Sequence, residues 1–390
     1  MPFFKNAIRK TLKKSGFRNI VILSSGVLIA QTITIISQPI IARLYTPEEF
    51  GILANLTSIV SMISPLITLQ YHKSIITVKS EQQVNTISAL TFYIVIILSL
   101  LTALILSICE IINPTLFRNI GKWIYLVIPL LILTGLGQLF DSYNIRFGQF
   151  KLMSSIALVR SVISNGLKIV LGILKLGAFG LIFAHIISNI MGIRRQGKYF
   201  FSKIRQVFSI SFKEMKMAAV EHKIQPLFSM PGIFVTTFSY SVLPVMITSL
   251  YTIADAGYFS MSMLVLGMPL ALISNNVSKV FFKNASEERN IVGNFYSTFK
   301  STLMLLISVA LIGFPVLWLI AEELFLFFLG KEWIKSGVFV KILVPMYAAR
   351  FIVTSLMNGF ILSGRQLLKL ILQSLFIFES LAIFWIAKNF

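Results

Sequence analysis

Long apolar runs separated by short polar turns recur along the whole 390-residue chain. With helix breakers and charges as punctuation, the pattern predicts spans at about Asn19–Ala42, Gly51–Leu69, Ile87–Ile108, Trp123–Leu139, Ser155–Leu174, Ala178–Met191, Met230–Ser249, Ala256–Val277, Thr302–Ile320, Val338–Leu362 and Leu367–Ala387. Runs this long exceed a barrel strand, and a lipid-embedded backbone must satisfy its own hydrogen bonds, so the spans are helical. The expected fold class is an all-α polytopic membrane protein with no sizeable soluble domain.

One polar turn divides the pattern into halves. Leu44-Tyr45-Thr46-Pro47-Glu48-Glu49-Phe50-Gly51 returns as Leu250-Tyr251-Thr252-Ile253-Ala254-Asp255-Ala256-Gly257, at an offset of 206 residues for Leu, Tyr, Thr and Gly alike. Pro39 and Pro244 precede the copies, and Pro65-Leu66 and Pro269-Leu270 follow them. The offset spans an even number of helices, so the copies share one orientation, as in a parallel repeat. The longest polar connection, Gly192 to Phe228, falls between the sixth and seventh spans. This gives an N-terminal lobe at 1–191, a basic linker at 192–229 and a C-terminal lobe at 230–390, with six spans followed by five or six. Six plus six would be expected from the repeat and the eleventh span is the last, so either the second lobe lacks a twelfth helix or one span is miscounted.

Composition strengthens the membrane reading: 56% of residues are hydrophobic and 13% charged, with a mean hydropathy of +0.85. Lys and Arg outnumber Asp and Glu by 35 to 14. Topology accounts for that excess without a nucleic-acid partner: with a cytoplasmic N-terminus, alternate segments hold 25 Lys and Arg inside and 7 outside. Both copies of the turn are then outside. The N-terminal basic stretch resembles a signal peptide, but its apolar run is too long and many spans follow. Cys109 is the only cysteine, and His72, His185 and His222 are scattered, so neither a disulfide nor a metal or cofactor site is expected.

The first hairpin, Gly26…Ala30-Gln31…Pro39-Ile40-Ile41-Ala42-Arg43-Leu44-Tyr45-Thr46-Pro47-Glu48-Glu49-Phe50-Gly51, resembles the bacterial polysaccharide flippases, the Wzx-like O-antigen branch of the multidrug/oligosaccharidyl-lipid/polysaccharide exporter superfamily. Ala256-Gly257-Tyr258-Phe259…Pro269-Leu270 and Leu329-Gly330-Lys331-Glu332-Trp333…Gly337 carry the same resemblance. It implies two lobes around a central cavity, and alternating-access transport of undecaprenyl-pyrophosphate-linked oligosaccharide across the bacterial inner membrane. It also implies membrane lipids, a polysaccharide polymerase and chain-length machinery as partners. Where relatives read Leu-Arg-Tyr-Glu, this chain has Leu69-Gln70-Tyr71-His72, so no role for that Arg or Glu carries over.

A charge near the bilayer centre costs about 2.5 to 3.5 kcal/mol on insertion scales, so it faces a cavity or a partner. Arg350 near the middle of the tenth span and Lys168 inside the fifth are the leading candidates for a cavity that neutralises pyrophosphate. Arg160 and Lys341 are further candidates, although their long stems equally suit snorkelling to the headgroups. Arg43, matched by Ser249 in the second copy, is either an outer gate contact or an interfacial anchor. Gln31, Thr34 and Gln38 form one helical stripe that either meets sugars or glues helices together. Among the acids, only Glu379 falls inside an expected span, as a coupling group or a partner for Arg350. Glu48, Glu49 and Asp255 read as helix caps. Basic residues from Arg194 to Lys223, interleaved with Phe200, Phe201 and Phe208, fit an amphipathic segment on anionic lipid.

No nucleophile, metal or nucleotide motif appears, so the expectation is a transporter and not an enzyme. Two rivals remain: a cation-coupled multidrug exporter of the same superfamily, which would be better served by acids in the first lobe, and a membrane-embedded polysaccharide polymerase, which would carry a long outer loop.

Overall fold

The computed structural model describes residues 25–113 and 120–363, with single positions from 365 to 386. The described residues are helical and contain no strand. Ten long helices carry the first ten expected spans: α1 Ser25–Leu44, α2 Pro47–Ile67, α3 Glu81–Ile112, α4 Val127–Arg146, α5 Phe150–Ile173, α6 Gly177–Gln196, α7 Met230–Leu250, α8 Ile253–Val292, α9 Tyr296–Leu329 and α10 Ile334–Leu356. Among the described residues nine segments are long and apolar enough to cross a membrane; in α8 the apolar part, Ile253–Gly267, is shorter. Glu379 and most of the eleventh expected span lie outside the described residues. The protein is an all-α polytopic membrane protein.

The chain forms two compact units. Unit 1 comprises Met1–Ser37 and Leu56–Ser241; unit 2 comprises Gln38–Asn55 and Val242–Phe390. The expected linker, 192–229, lies within unit 1, and the first copy of the turn belongs to unit 2 with the second.

In unit 1, α1 and α5 pack in parallel, their register rising together. A Cβ on Gly26 would fall 1.8 Å from Ser154 Oγ, Ser161 donates to the Ala30 carbonyl at 2.7 Å, and Asn165 donates to Thr34 Oγ1 at 3.1 Å. Small residues and interhelical hydrogen bonds substitute here for the hydrophobic drive that lipid does not supply. Parallel packing also requires an even number of reversals between the two helices, as the span order gives.

The linker packs against the helices of unit 1. It forms short helices at Lys198–Ser202, Ile204–Phe208 and Phe212–Glu221. Phe200 and Val207 enter a core with Ile75, Val84, Ile87, Leu139, Phe140 and Tyr143. Ring contacts from Phe200 to Phe92 at 5.9 Å and Phe140 at 5.5 Å explain why the aromatic residues alternate with the basic ones: the rings anchor the segment and leave the lysines outside. The helix Phe212–Glu221 starts in a capping box between Ser211 and Glu214. Hydrogen bonds from Ser211 hold the Glu214 carboxyl below the usual carboxylate range.

After α2 the backbone makes a strained elbow, with Leu69 at φ 45° and Gln70 at φ 60°. Neither is glycine, and each such conformation costs on the order of 1–3 kcal/mol. The elbow delivers Tyr71 to the Ala219 carbonyl at 3.1 Å and buries His72, whose Nδ1 has no hydrogen-bond partner. Burial, assisted by the adjacent Lys73 charge, lowers the His72 pKa to about 4. The neutral ring is therefore favoured by the fold. Its contribution is fully present above the ordinary histidine pKa of about 6.5 and is lost as pH falls from there towards 4, amounting to on the order of 3 kcal/mol. In detergent, the apparent Tm of the wild type is expected to fall between pH 7 and pH 4.5 more steeply than that of His72→Gln. Parallel curves would remove His72 from the pH response.

Candidate functional site

The repeated turn is the best-defined construction in unit 2. Each copy starts a helix with the same cap. Thr46 Oγ1 accepts from the Glu49 N–H at 3.4 Å, while the Glu49 carboxylate accepts from the Thr46 N–H at 2.9 Å. Thr252 Oγ1 accepts from the Asp255 N–H at 3.1 Å and donates to the Asp255 carboxylate at 2.7 Å. Each threonine hydroxyl thus meets an N–H of the first turn that has no intrahelical partner, and Glu49 and Asp255 close the cap from the other side.

The two helix starts also cross. A Cβ on Gly51 would lie 1.9 Å from the Ile253 carbonyl oxygen, and one on Gly257 would lie 1.9 Å from that of Pro47. At the 206-residue offset Pro47 matches Ile253 and Gly51 matches Gly257, so the contact is reciprocal: each copy's glycine receives the other copy's first helical residue. Side chains close the crossing. Asn55 Nδ2 donates to Thr248 Oγ1 at 2.7 Å, and the fully buried Trp333 donates from Nε1 to the Ala42 carbonyl at 2.6 Å. Lys335 reaches Asp255 at 2.5 Å.

Unit 1 gathers the polar side chains of α4, α5 and α6. Arg160 Nη2 donates to Gln196 Oε1 at 2.8 Å and to the Asn189 carbonyl at 3.3 Å. Gln196 Nε2 passes the chain on to Asp141 Oδ1 at 2.5 Å, and Asn144 Nδ2 donates to the Gln196 carbonyl at 3.2 Å. Arg160 Nε is buried without a hydrogen-bond partner. A guanidinium, an amide and a carboxylate are therefore linked in a row, with the opposite charges separated by one neutral side chain. Lys168 is half-buried on α5.

Asp141 lies within α4, which outruns the expected span. Leu139 ends the apolar run, but α4 continues through Arg146 because Phe140 and Tyr143 still face the core. The i, i+3 spacing of those two aromatic residues was the signal available. Glu322 lies within α9, which likewise runs past Ile320 to Leu329, and it meets Lys341 at 2.6 Å.

The other candidates are dispersed. Lys341 also lies 5.6 Å from the centre of the Trp318 ring, so its charge is already met within unit 2. Arg350 stacks over Tyr347, one turn earlier on α10, at 5.6 Å. Arg43 is exposed and donates to the Phe327 carbonyl at 3.2 Å. The stripe on α1 divides: Thr34 joins α5, Gln31 keeps a buried amide oxygen without a hydrogen-bond partner, and Gln38 is buried in unit 2 against Met261 Sδ at 3.1 Å.

A family model described as a polysaccharide biosynthesis protein matches residues 40–337, more than half of the chain. No curated protein matches the sequence. Among solved structures, the chain is similar to an inward-facing multidrug resistance MATE family transporter of the MOP superfamily, with a TM-score of 0.61 at 15% identity over 90% of this chain and 87% of that one. A mutant of the Vibrio cholerae MATE transporter VcmN gives 0.52 at 14% identity, over 94% and 87%. An outward-facing MATE family transporter of the MOP superfamily gives 0.50 at 16% identity, over 91% and 84%. At these identities the likeness concerns the fold. The chain belongs to the polysaccharide biosynthesis protein family and has the fold of the MOP-superfamily transporters.

Proposed function

We propose that this protein is a flippase that moves undecaprenyl-pyrophosphate-linked oligosaccharide across the bacterial inner membrane by alternating access, with its N-terminus in the cytoplasm. The observation that carries the reading is the Arg160–Gln196–Asp141 row inside unit 1 of a chain from a polysaccharide biosynthesis family. A guanidinium held by a neutral amide is available to a pyrophosphate, which it matches with paired N–H donors in a medium of low dielectric. As the anion arrives, Gln196 can turn from Arg160 to Asp141 alone. Lys168 and Arg350 add cationic charge within helices, and transport is driven by a gradient or by removal of the product. The surface polysaccharide made from the delivered units, O-antigen of lipopolysaccharide among them, requires a polymerase and chain-length machinery downstream.

Asp141 also favours a second reading, cation-coupled export of a cationic compound, because it places an acid inside the first half of the fold. The leaflet on which undecaprenyl-linked glycan collects in cells lacking the protein separates the two. Inner-leaflet accumulation supports the flippase, and an unchanged distribution supports the exporter.

A further inference from the structure

We propose that the outward side of the helix Phe212–Glu221, with the turn that follows it, is a docking face for the anionic headgroups of the adjacent membrane leaflet. The helix has two unlike sides. Ala218 is buried, Met215 packs on the core around Phe200 and Val207, and the Ala219 carbonyl accepts from Tyr71 at 3.1 Å, so one side is fixed to unit 1. At about 3.6 residues per turn, Phe212, Lys213, Lys216, Met217 and Val220 fall within roughly 140° on the other side. Phe212, Met217 and Val220 are exposed by 79%, 56% and 60%, and both lysines are exposed.

Position and charge select lipid as the occupant. His222, Lys223 and Ile224 alone join the helix to Gln225–Leu250, a segment long and apolar enough to cross a membrane. A link of three residues reaches on the order of 10 Å, so the helix stands at a membrane surface. Exposed apolar surface continues through Ile224 and Leu227 into that segment. The charges are one-sided: Glu214 lies on the packed flank, where it accepts from Ser211 at 2.7 and 2.8 Å, and Glu221 sits at the edge of the outward arc. Among the described residues no carboxylate pairs with Lys213, Lys216 or Lys223; the ion pairs there involve Lys203, Lys335 and Lys341. Exposed apolar side chains with lysines beside them fit the boundary between headgroups and acyl chains, where the apolar groups enter and the ammonium groups meet phosphate. An acidic polypeptide would match the lysines but not the continuity with the membrane segment. The aromatic residues that mark the linker in the sequence serve elsewhere: Phe200 is buried, and Phe208 packs on Phe92 at 5.2 Å.

Docking is read without transport, so the face stands whatever the cargo. Cys109 is the only cysteine, so the full chain with Cys109→Ser and Val220→Cys takes one fluorophore on this face. The labelled protein is reconstituted into vesicles of phosphatidylcholine and phosphatidylglycerol in equal parts, with bromine quenchers on the acyl chains of one lipid or of the other. Quenching by brominated phosphatidylglycerol is expected to exceed that by brominated phosphatidylcholine roughly fivefold, the share of one basic residue at an anionic surface. In about 1 M salt, where the screening length is about 3 Å, the preference should disappear while quenching persists. Lys213→Gln, Lys216→Gln and Lys223→Gln together, all at exposed positions, should also remove the preference and leave the apparent Tm in detergent unchanged. Equal quenching by the two lipids at low salt would overturn the proposal, as would a preference that survives the triple substitution or high salt. Quenching by neither lipid would overturn it as well, and would make an acidic polypeptide the occupant to seek.

Discussion

Gly51→Ala and Gly257→Ala are each expected to destabilise the protein by about 3 kcal/mol or more, at the upper end of what overpacking costs. The added methyl would stand 1.9 Å from a backbone oxygen of the opposite turn, and a backbone atom held in a helix cannot rotate away. The two helix starts must separate, straining the Asn55–Thr248 bond and the Trp333 anchor with them. Because both glycines serve one crossing, the effects should be non-additive: once either methyl has parted the helices, the second costs much less. Gly313→Ala is the control. Nothing lies within 4 Å of its Cβ position, and alanine is the better helix former by about 1 kcal/mol. Thermal inactivation in detergent should rank Gly313→Ala at or above the wild type and both turn variants well below it. Additive losses in the double variant would refute a shared crossing.

Trp333→Ala is expected to cost about 3 to 5 kcal/mol, the range for removing a buried large aromatic side chain. The ring is fully buried, with edge contacts to Phe50 at 5.1 Å and Tyr258 at 6.0 Å. Its indole N–H does a second job, because the Ala42 carbonyl lies in the last turn of α1 and lacks an intrahelical donor. Trp333→Phe keeps most of the packing and abandons that carbonyl, so it should cost about 1 to 3 kcal/mol. The graded series wild type, Phe, Ala in apparent Tm checks the partition. A Trp333→Phe variant as weak as Trp333→Ala would assign the whole effect to the hydrogen bond.

These two sites show what could be read from sequence. The turn copies stood out because Leu, Tyr, Thr and Gly recur at one offset, and the Thr caps and acids followed from their position before a helix. That the copies touch did not follow, because nothing in a repeat says which of its residues approach one another. Trp333 was visible as part of a family phrase, yet its role depends on a carbonyl 291 positions away. Span positions came through well, since lipid demands long apolar runs. Span ends did not: α4 and α9 continue through polar residues, which hid Asp141 and Glu322 from an argument that stopped at the last leucine or isoleucine. The stripe of Gln31, Thr34 and Gln38 was correctly seen as one helical face, but the three residues meet different neighbours, which helical spacing does not encode.

The most direct test of the proposed function is the leaflet distribution of undecaprenyl-linked glycan in cells lacking the protein, read by access of an impermeant probe from the outer side. Inner-leaflet accumulation, reversed by expression of the wild type and not by Arg160→Gln at equal protein level, is the expected result. An unchanged outer-leaflet pool in the deleted cells would contradict it.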